Sequence, residues 1–177
     1  VPVEGSTLLR SGRLRLSNAF GSEKSALQIA VQAQYWSGKA WVLNSEDTVN
    51  GGVACTQVLA TAMSASNAVD SKGAASSAMN NTLSGFSIVN GQANLSVSPA
   101  SPTATGSIDI ALNLGSASTD QSCVAGPRPA TTGADRAWLR SQNGGCSALW
   151  DRDPSARATF GIFAPETTKT VHARELF

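Results

Sequence analysis

Apolar and polar residues alternate along much of this chain, and a period of two predicts β-strands with one buried face. The longest such run is Leu27–Trp36, in which every second residue from Leu27 to Tyr35 is apolar or aromatic. The same alternation occurs at residues 12–19 and 106–114. These segments predict half-buried strands that pack around a common core.

A further strand is predicted near the end of the chain, at residues 153–163. It opens with Asp-Pro-Ser, which is a turn signal because proline fixes φ and short polar side chains bond nearby backbone. The following residues alternate, with Ala158, Phe160 and Ile162 on one face. Residues 170–177 are predicted to return as a partner strand, so we expect truncation there to unfold the domain.

Two tight turns are predicted between strands. Residues 37–39 form a short glycine-containing link between the aromatic-rich runs Leu27–Trp36 and 40–44, which predicts a hairpin. A second hairpin is predicted at Asn90-Gly91, because both central residues of a type I′ turn need a positive φ. Each turn is predicted to place consecutive strands side by side in an antiparallel sheet.

The predicted fold class is all-β: an antiparallel β-sandwich, immunoglobulin-like or jelly-roll-like, of about eight or nine short strands with long loops. A chain of 177 residues fits a single domain, 1–177. Residues 1–11 are interpreted as a lead-in arm. Residues 60–82 are rich in Ala, Ser and Asn without a sustained period, and we interpret them as an inserted excursion with room for one helical turn.

Composition narrows the partners and the location. Charged residues are 14% of the chain and the formal net charge is +1 without a basic run, whereas a nucleic-acid binder normally carries a positive patch. No apolar run approaches the ~20 residues that a membrane-spanning helix needs. Hydroxyl and amide residues are abundant, as is typical of extracellular β-proteins, and the chain begins at Val1 without Met. We predict an extracellular segment cut from a larger precursor, with no nucleic-acid partner.

The three cysteines are an odd set. Cys123 and Cys146 bracket a loop rich in Gly, Pro and Thr, and we predict a disulfide between them worth about 3 kcal/mol in a chain-entropy model. Cys55 is then a buried free thiol or one end of a different pairing. One histidine and no Cys-x-x-Cys leave a zinc site without ligands.

The sequence lacks the usual marks of an enzyme. His172 is the only histidine and no Gly-x-Ser-x-Gly elbow or glycine-rich phosphate loop is present. Asp151 and Asp153, with Asp135 upstream, suit an acidic metal site or a glycosidase carboxylate pair, but the interleaved Arg152 and Arg157 favour salt-bridged turn acids. Glu46 and Asp47 lack the regular spacing of a calcium loop. We therefore predict no catalytic residue, no cofactor and no metal ligand.

Tyr35, Trp36 and Trp41 lie near the tip of the first predicted hairpin and are the candidate interaction residues. Cross-strand packing in the core accounts for aromatic residues at such positions. The functional alternative is a platform on which sugar rings stack. A carbohydrate-active enzyme or a lectin that uses Trp41, Trp138 or Trp150 with nearby acids is a further hypothesis.

Two separated sequence blocks carry a resemblance to a known family. Residues 12–23 read Gly-Arg-Leu-Arg-Leu-Ser-Asn-Ala-Phe-Gly-Ser-Glu and precede the aromatic hairpin. Residues 153–161 read Asp-Pro-Ser-Ala-Arg-Ala-Thr-Phe-Gly and precede a closing Ala-Arg-Glu at 173–175. In this order the blocks resemble the C-terminal domain of MshQ-type proteins, which are linked to biogenesis of the mannose-sensitive haemagglutinin type IV pilus. The resemblance runs over residues 12–177.

The resemblance implies a large, secreted, multi-domain bacterial surface protein of which this chain is the C-terminal part. It carries over no catalytic or ligand-binding residue. The chain departs from the family at residues 60–82, in the loop between Cys123 and Cys146, and at His172, where an aromatic residue is more usual. The departures leave the fold prediction unchanged.

We therefore expect a non-catalytic structural or adhesive module of a pilus-associated surface protein at the bacterial cell surface. Its expected partners are pilus components, copies of itself or surface glycans. One alternative is a self-assembling filament subunit, in which residues 1–10 add a strand to a neighbouring sheet. Another alternative is a carbohydrate-binding module.

Overall fold

The computed structural model describes residues 10–79, 82–98, 101, 103–125 and 132–161. Helical structure within these ranges consists of the 3-10 turns Ala60–Ala62, Ser77–Met79 and Ala137–Leu139. The strands of the described residues are, in chain order, β1 (Gly12–Leu16), β2 (Ala19–Gly21), β3 (Leu27–Trp36), β4 (Trp41–Leu43), β5 (Val49–Asn50), β6 (Val53–Ala54), β7 (Gln57–Val58), β8 (Met63–Asp70), β9 (Thr82–Leu83), β10 (Phe86–Ser87), β11 (Gln92–Ser98), β12 (Gly106–Leu112) and β13 (Ser155–Phe160).

Most of these strands belong to two sheets. The first sheet has the order β1-β3-β11-β9, and β4 also pairs with β3. The second has the order β2-β13-β12-β8. Pairing in both sheets is antiparallel, except that β2 runs parallel to β13. The short pairs β10 with β7 and β5 with β6 lie outside the two sheets.

One hydrophobic core joins the two sheets. Leu14, Ile29 and Leu95 contribute from the first sheet, and Ile110 and Phe160 contribute from the second; all five are fully buried. Burial of each such side chain stabilises the fold by about 1.5–3 kcal/mol. The inward residues are those that the alternating pattern assigns to the core, and the predicted all-β antiparallel sandwich is confirmed.

The predicted strand at 106–114 is confirmed as β12, and both of its faces are buried. Asp109 lies on the face away from the isoleucines. Arg157 on β13 donates to both of its carboxylate oxygens, at 2.7 and 3.0 Å, and Asn67 on β8 donates to Oδ2 at 3.0 Å. The hydrogen bonds from Arg157 to Asp109, followed by the negative charge of Asp109, raise the pKa of the Arg157 guanidinium. The sequence also predicts a cross-strand ion network of Arg157 with Arg174 and Glu175, and these two partners lie outside the described residues.

The Asn90-Gly91 turn is confirmed. Asn90 has φ 51° and Gly91 has φ 78°, the left-handed values that a type I′ turn requires. Val89 and Gln92 exchange backbone hydrogen bonds of 2.8 and 3.0 Å across it. Beyond the turn the two arms separate, because β10 pairs with β7 while β11 pairs with β3 and β9.

The prediction of an excursion at residues 60–82 was wrong for the part of this stretch that the structure describes, residues 60–79 and 82. Their middle is β8, which forms an edge of the second sheet and pairs with β12. Met63 and Met79 are 5% and 0% exposed and belong to the core. The predicted helical turn corresponds to the two 3-10 turns at Ala60–Ala62 and Ser77–Met79.

Two shorter predictions were also wrong. The stretch 18–24, which holds Gly21, predicts a turn, yet it contains β2. The sequence of residues 53–59 predicts one short strand that carries Cys55, whereas the structure has two, β6 and β7, with Cys55 between them. The lead-in residues 1–9 and the partner strand predicted at 170–177 lie outside the described residues.

Asp153, just before β13, is completely buried and ties three loops together. Arg140 donates to its two oxygens from Nε at 2.7 Å and from Nη2 at 3.2 Å. The backbone N–H groups of Leu114 and Gln121 donate to the same carboxylate at 3.1 and 2.7 Å. Asp151 pairs with its neighbour Arg152 at 3.1 Å. Both acids are therefore salt-bridged, as predicted, but only Asp151 pairs with an interleaved arginine, whereas Asp153 pairs with Arg140.

Candidate functional site

Three tryptophans form a surface cleft at one end of the first sheet. Trp36 and Trp41 have ring centroids 5.7 Å apart, and Trp41 is also 5.7 Å from Trp150. Together with Ser11 the three indoles line a cleft of about 430 Å³. Trp36 is 43% exposed and Trp150 is 56% exposed, so the outer two rings offer apolar surface to solvent. We call this arrangement the tryptophan cleft.

The β3–β4 hairpin builds two walls of the cleft. Trp36 is the last residue of β3 and lies directly opposite Trp41, the first residue of β4. Paired residues in an antiparallel sheet project on the same side, so both indoles leave the face away from the core. The backbone N–H of Trp36 donates to the carbonyl of Ser11 at 2.9 Å, which brings the strand before β1 alongside.

A disulfide-tied loop supplies the third wall. Cys123 and Cys146 are bonded, with their Cα atoms 5.6 Å apart, and the predicted bridge is confirmed. Ser141 and Arg152 close the base of the loop by exchanging backbone hydrogen bonds of 3.1 and 3.0 Å. Trp150 lies in the loop between Ser141 and Arg152, which also contains Cys146. The disulfide therefore limits how far the Trp150 indole can move from Trp41.

Loss of the bridge is expected to loosen this wall. Cys123→Ser with Cys146→Ser removes a constraint over 23 residues and should lower the free energy of unfolding by about 3 kcal/mol. Urea denaturation monitored by tryptophan fluorescence measures this change. Cys55→Ser is the matched control and should leave the midpoint unchanged. Equal midpoints for the double variant and the wild type would contradict the prediction.

Arg13 covers the remaining face of the central tryptophan. Its guanidinium carbon lies 4.2 Å from the Trp41 ring centroid, and its Nε donates to Gln34 Oε1 at 2.8 Å. A cation over an indole face is attracted by the ring quadrupole. Burial, followed by repulsion from Arg15, lowers the pKa of Arg13. The cleft therefore combines aromatic surface with a fixed positive charge.

Comparison with protein families matches residues 10–176 to DUF6701, fourth domain. The chain belongs to the DUF6701 family. Searches of curated proteins and of solved structures find no significant match. Within this DUF6701 fourth domain, the tryptophan cleft is built by residues that the family match covers.

The predicted aromatic trio is partly regrouped in this DUF6701 domain. Trp36 and Trp41 meet, but Tyr35 points to the other side of β3, where the Arg10 guanidinium carbon lies 4.4 Å from its ring centroid. Tyr35 and Trp138 instead border a separate cleft of about 290 Å³. Trp150 takes the third place in the tryptophan cleft. Alternation along β3 already separates Tyr35 from Trp36, whereas the contact with Trp150 has no local sequence signal.

The other candidate residues serve structural roles. Glu46 pairs with Arg10 at 3.0 Å, and the Thr56 hydroxyl donates to Asp47 Oδ2 at 2.7 Å. Over the part of this DUF6701 domain that the structure describes, no group of three His, Cys, Asp or Glu side chains is placed to hold a metal ion. In the same part of the chain, no helix is long and apolar enough to cross a membrane. Cys55 is free, as one prediction had it, but it is exposed rather than buried.

Proposed function

We propose that this domain is a non-catalytic, extracellular adhesive module of a larger bacterial surface protein, and that it binds glycans in the tryptophan cleft. The cleft is the observation that carries the proposal. A pyranose ring has an apolar face of C–H groups, which stacks on an indole, and hydroxyls that accept and donate hydrogen bonds around its edge. Three clustered indoles with Ser11 and Arg13 beside them supply both kinds of contact.

Three further observations support the proposal that this module belongs to an extracellular, multi-domain protein. The family description as a fourth domain fits one unit of a multi-domain protein. The disulfide fits an oxidising compartment outside the cytosol. The resemblance to MshQ-type proteins supports a pilus-associated surface protein. The aromatic cleft then gives such a protein a contact surface that needs no catalytic group.

Glycan binding by the wild type and by Trp36→Ala tests the proposal. Truncation of an aromatic anchor in a binding site costs about 2 kcal/mol or more, so we expect about 30-fold weaker binding. Titration calorimetry with maltohexaose, cellohexaose, mannohexaose and oligogalacturonate measures the affinity. Trp138→Ala is the control, because Trp138 is 67% exposed and lies outside the cleft.

The controls separate folding from binding. Thermal unfolding should show that Trp36→Ala and Trp138→Ala remain folded. Binding that is lost in the first variant and kept in the second supports the proposal. No binding of any of these glycans to the folded wild type, or equal binding by both variants, would count against it.

A further inference from the structure

The outward face of the first sheet continues the tryptophan cleft. β3 is ten residues long, which corresponds to about 33 Å of extended strand. Its outward positions alternate with the core positions and end at Trp36. Polar side chains of β3 and of its neighbour β11 cover most of this face; we call them the amide strip, Gln28, Gln32, Gln34, Gln92, Asn94 and Ser96.

The amide strip is held in place by its own hydrogen bonds. Gln34 accepts from Arg13 and donates from Nε2 to Gln32 Oε1 at 3.0 Å. Gln28 donates from Nε2 to Ser96 Oγ at 3.2 Å. These contacts fix the direction of amide groups that still have donors and acceptors to offer. Because these protein side chains are already fixed, binding a ligand to them costs little additional side-chain entropy.

A second depression interrupts the strip. Ala30 is the small residue among the outward positions of β3, and it lies opposite Asn94 of β11. Gln32, Gln92 and Asn94 border a shallow groove of about 180 Å³ at this point. Ala30 is six residues from Trp36, which is about 20 Å along an extended strand. The face thus has two depressions on one line, which suits a chain-like ligand better than a single sugar.

The charged side chains on the outward face of the first sheet's strands β1, β3, β4 and β11 are all positive. Arg13 and Arg15 lie on β1 opposite Gln34 and Gln32, on the same outward face. Among the described residues neither arginine forms an ion pair. The outward residues of β1, β3, β4 and β11 include no carboxylate. Asp151, the acid next to Trp150, is already paired with Arg152.

We propose that the face binds a linear, carboxylate-bearing polysaccharide, with one sugar in the tryptophan cleft and the following sugars along the amide strip. The carboxylates lie toward Arg13 and Arg15, where guanidinium–carboxylate hydrogen bonds form. The exposed neutral side chains of the strip, such as Gln28, Gln92 and Asn94, meet the hydroxyls. This inference rests on the proposed glycan-binding function and adds the chemical class and the length of the glycan.

Nucleic acid is the other anionic chain that stacks on aromatic residues. Its backbone carries a charge on every nucleotide, and proteins that bind it present a row of basic residues. This face has two arginines and a majority of uncharged amides, which match the hydroxyl-rich, more sparsely charged polysaccharide. Single-stranded DNA is therefore the competitor that the experiment must include.

Calorimetric titration of the whole chain with polygalacturonate oligomers tests the inference. The wild type should bind an octamer more tightly than a dimer and more tightly than neutral cellohexaose. The double variant Arg13→Gln, Arg15→Gln should bind the acidic octamer about tenfold or more weakly, because the charge-assisted bonds are lost. Its affinity for the neutral glycan should fall by a smaller factor, because there only the contact of Arg13 with Trp41 and Gln34 is lost. Lys24→Gln, Lys72→Gln removes two charges elsewhere and should bind as the wild type.

The possible outcomes distinguish failure of this inference from failure of the proposed glycan-binding function. Wild-type protein that binds neutral glycans through Trp36 but gains nothing from carboxylates or length would overturn the inference and leave glycan binding standing. No glycan binding at all would overturn both. Oligo(dT) would also overturn the inference if it bound the wild type more tightly than the acidic octamer does and if this binding were lost in the Arg13→Gln, Arg15→Gln variant. Thermal unfolding of the double variant excludes misfolding as the cause of weaker binding. A variant with Arg13→Gln and Arg15→Lys should bind the acidic octamer more tightly than the double Gln variant, because the lysine keeps the charge at position 15.

Discussion

Asp153→Asn is expected to lower the free energy of unfolding by about 3–5 kcal/mol, because it removes one partner of a buried ion pair. Asp153 is 0% exposed and accepts two hydrogen bonds from Arg140 and two from backbone N–H groups. An asparagine amide cannot balance the Arg140 charge. Its NH₂ group would also point a donor at other donors, which leaves buried groups unsatisfied.

Chemical denaturation followed by tryptophan fluorescence measures the loss. Asp151→Asn is the matched control, because this neighbouring carboxylate is 38% exposed and bonds to the nearby Arg152 and Ser147 at the surface. It should leave the unfolding midpoint nearly unchanged. If both variants shifted the midpoint equally, Asp153 would not be the structural centre that its contacts indicate.

Phe160→Ala is expected to cost about 3–5 kcal/mol of unfolding free energy, the range for an aromatic side chain removed from a packed core. Phe160 is 0% exposed and is the largest of the fully buried side chains. It is the last residue of β13 and lies between Gly106 of β12 and Gly21 of β2, so the cavity would open in the core at one end of the second sheet. The neighbouring strands can refill it only by moving their own backbone pairs.

The chain offers a control of the same residue type on the adjacent strand. Phe20 on β2 lies beside Thr159 of β13 and is 68% exposed. Phe20→Ala changes the same number of atoms but creates no cavity, and we expect a change within about 0.5 kcal/mol. Thermal and urea denaturation of both variants gives the comparison. A small effect of Phe160→Ala would show that the second sheet is not packed on the core as described.

The parts of the fold that the sequence predicts well are those in which one face is apolar and the other polar. β3 begins and ends where the alternation of Leu27–Trp36 does. The type I′ turn follows from the conformational needs of Asn90 and Gly91 alone. In both cases the information lies within a few neighbouring residues, so no knowledge of the tertiary structure is required.

β8 escaped prediction for two physical reasons. Its buried positions include Ser64, whose hydroxyl donates to Asp120 Oδ2 at 2.7 Å, so a polar residue occupies a core-like position. The register with β12 also shifts between Ser107 and Asp109, and Asn67 has φ 51° at this irregularity. A bulge moves later side chains to the opposite face and breaks the period of two. Neither effect is visible without the partner residues.

The candidate site shows the same division. The pairing of Trp36 with Trp41 follows from the hairpin, which the sequence predicts. Trp150 reaches them through a loop whose position depends on the Cys123–Cys146 bond and on the Ser141–Arg152 pair. Contacts between residues far apart in the chain depend on the folded arrangement, so local pattern does not reveal them.

The parallel pairing of β2 with β13 bears on how the domain folds. The backbone N–H of Arg157 donates to Asn18 Oδ1 at 2.9 Å, and these two residues are 139 positions apart. Closing so long a loop costs entropy before any contact is gained, and domains dominated by distant contacts fold in milliseconds to seconds. During synthesis, one edge of the second sheet therefore has no partner until β13 is available.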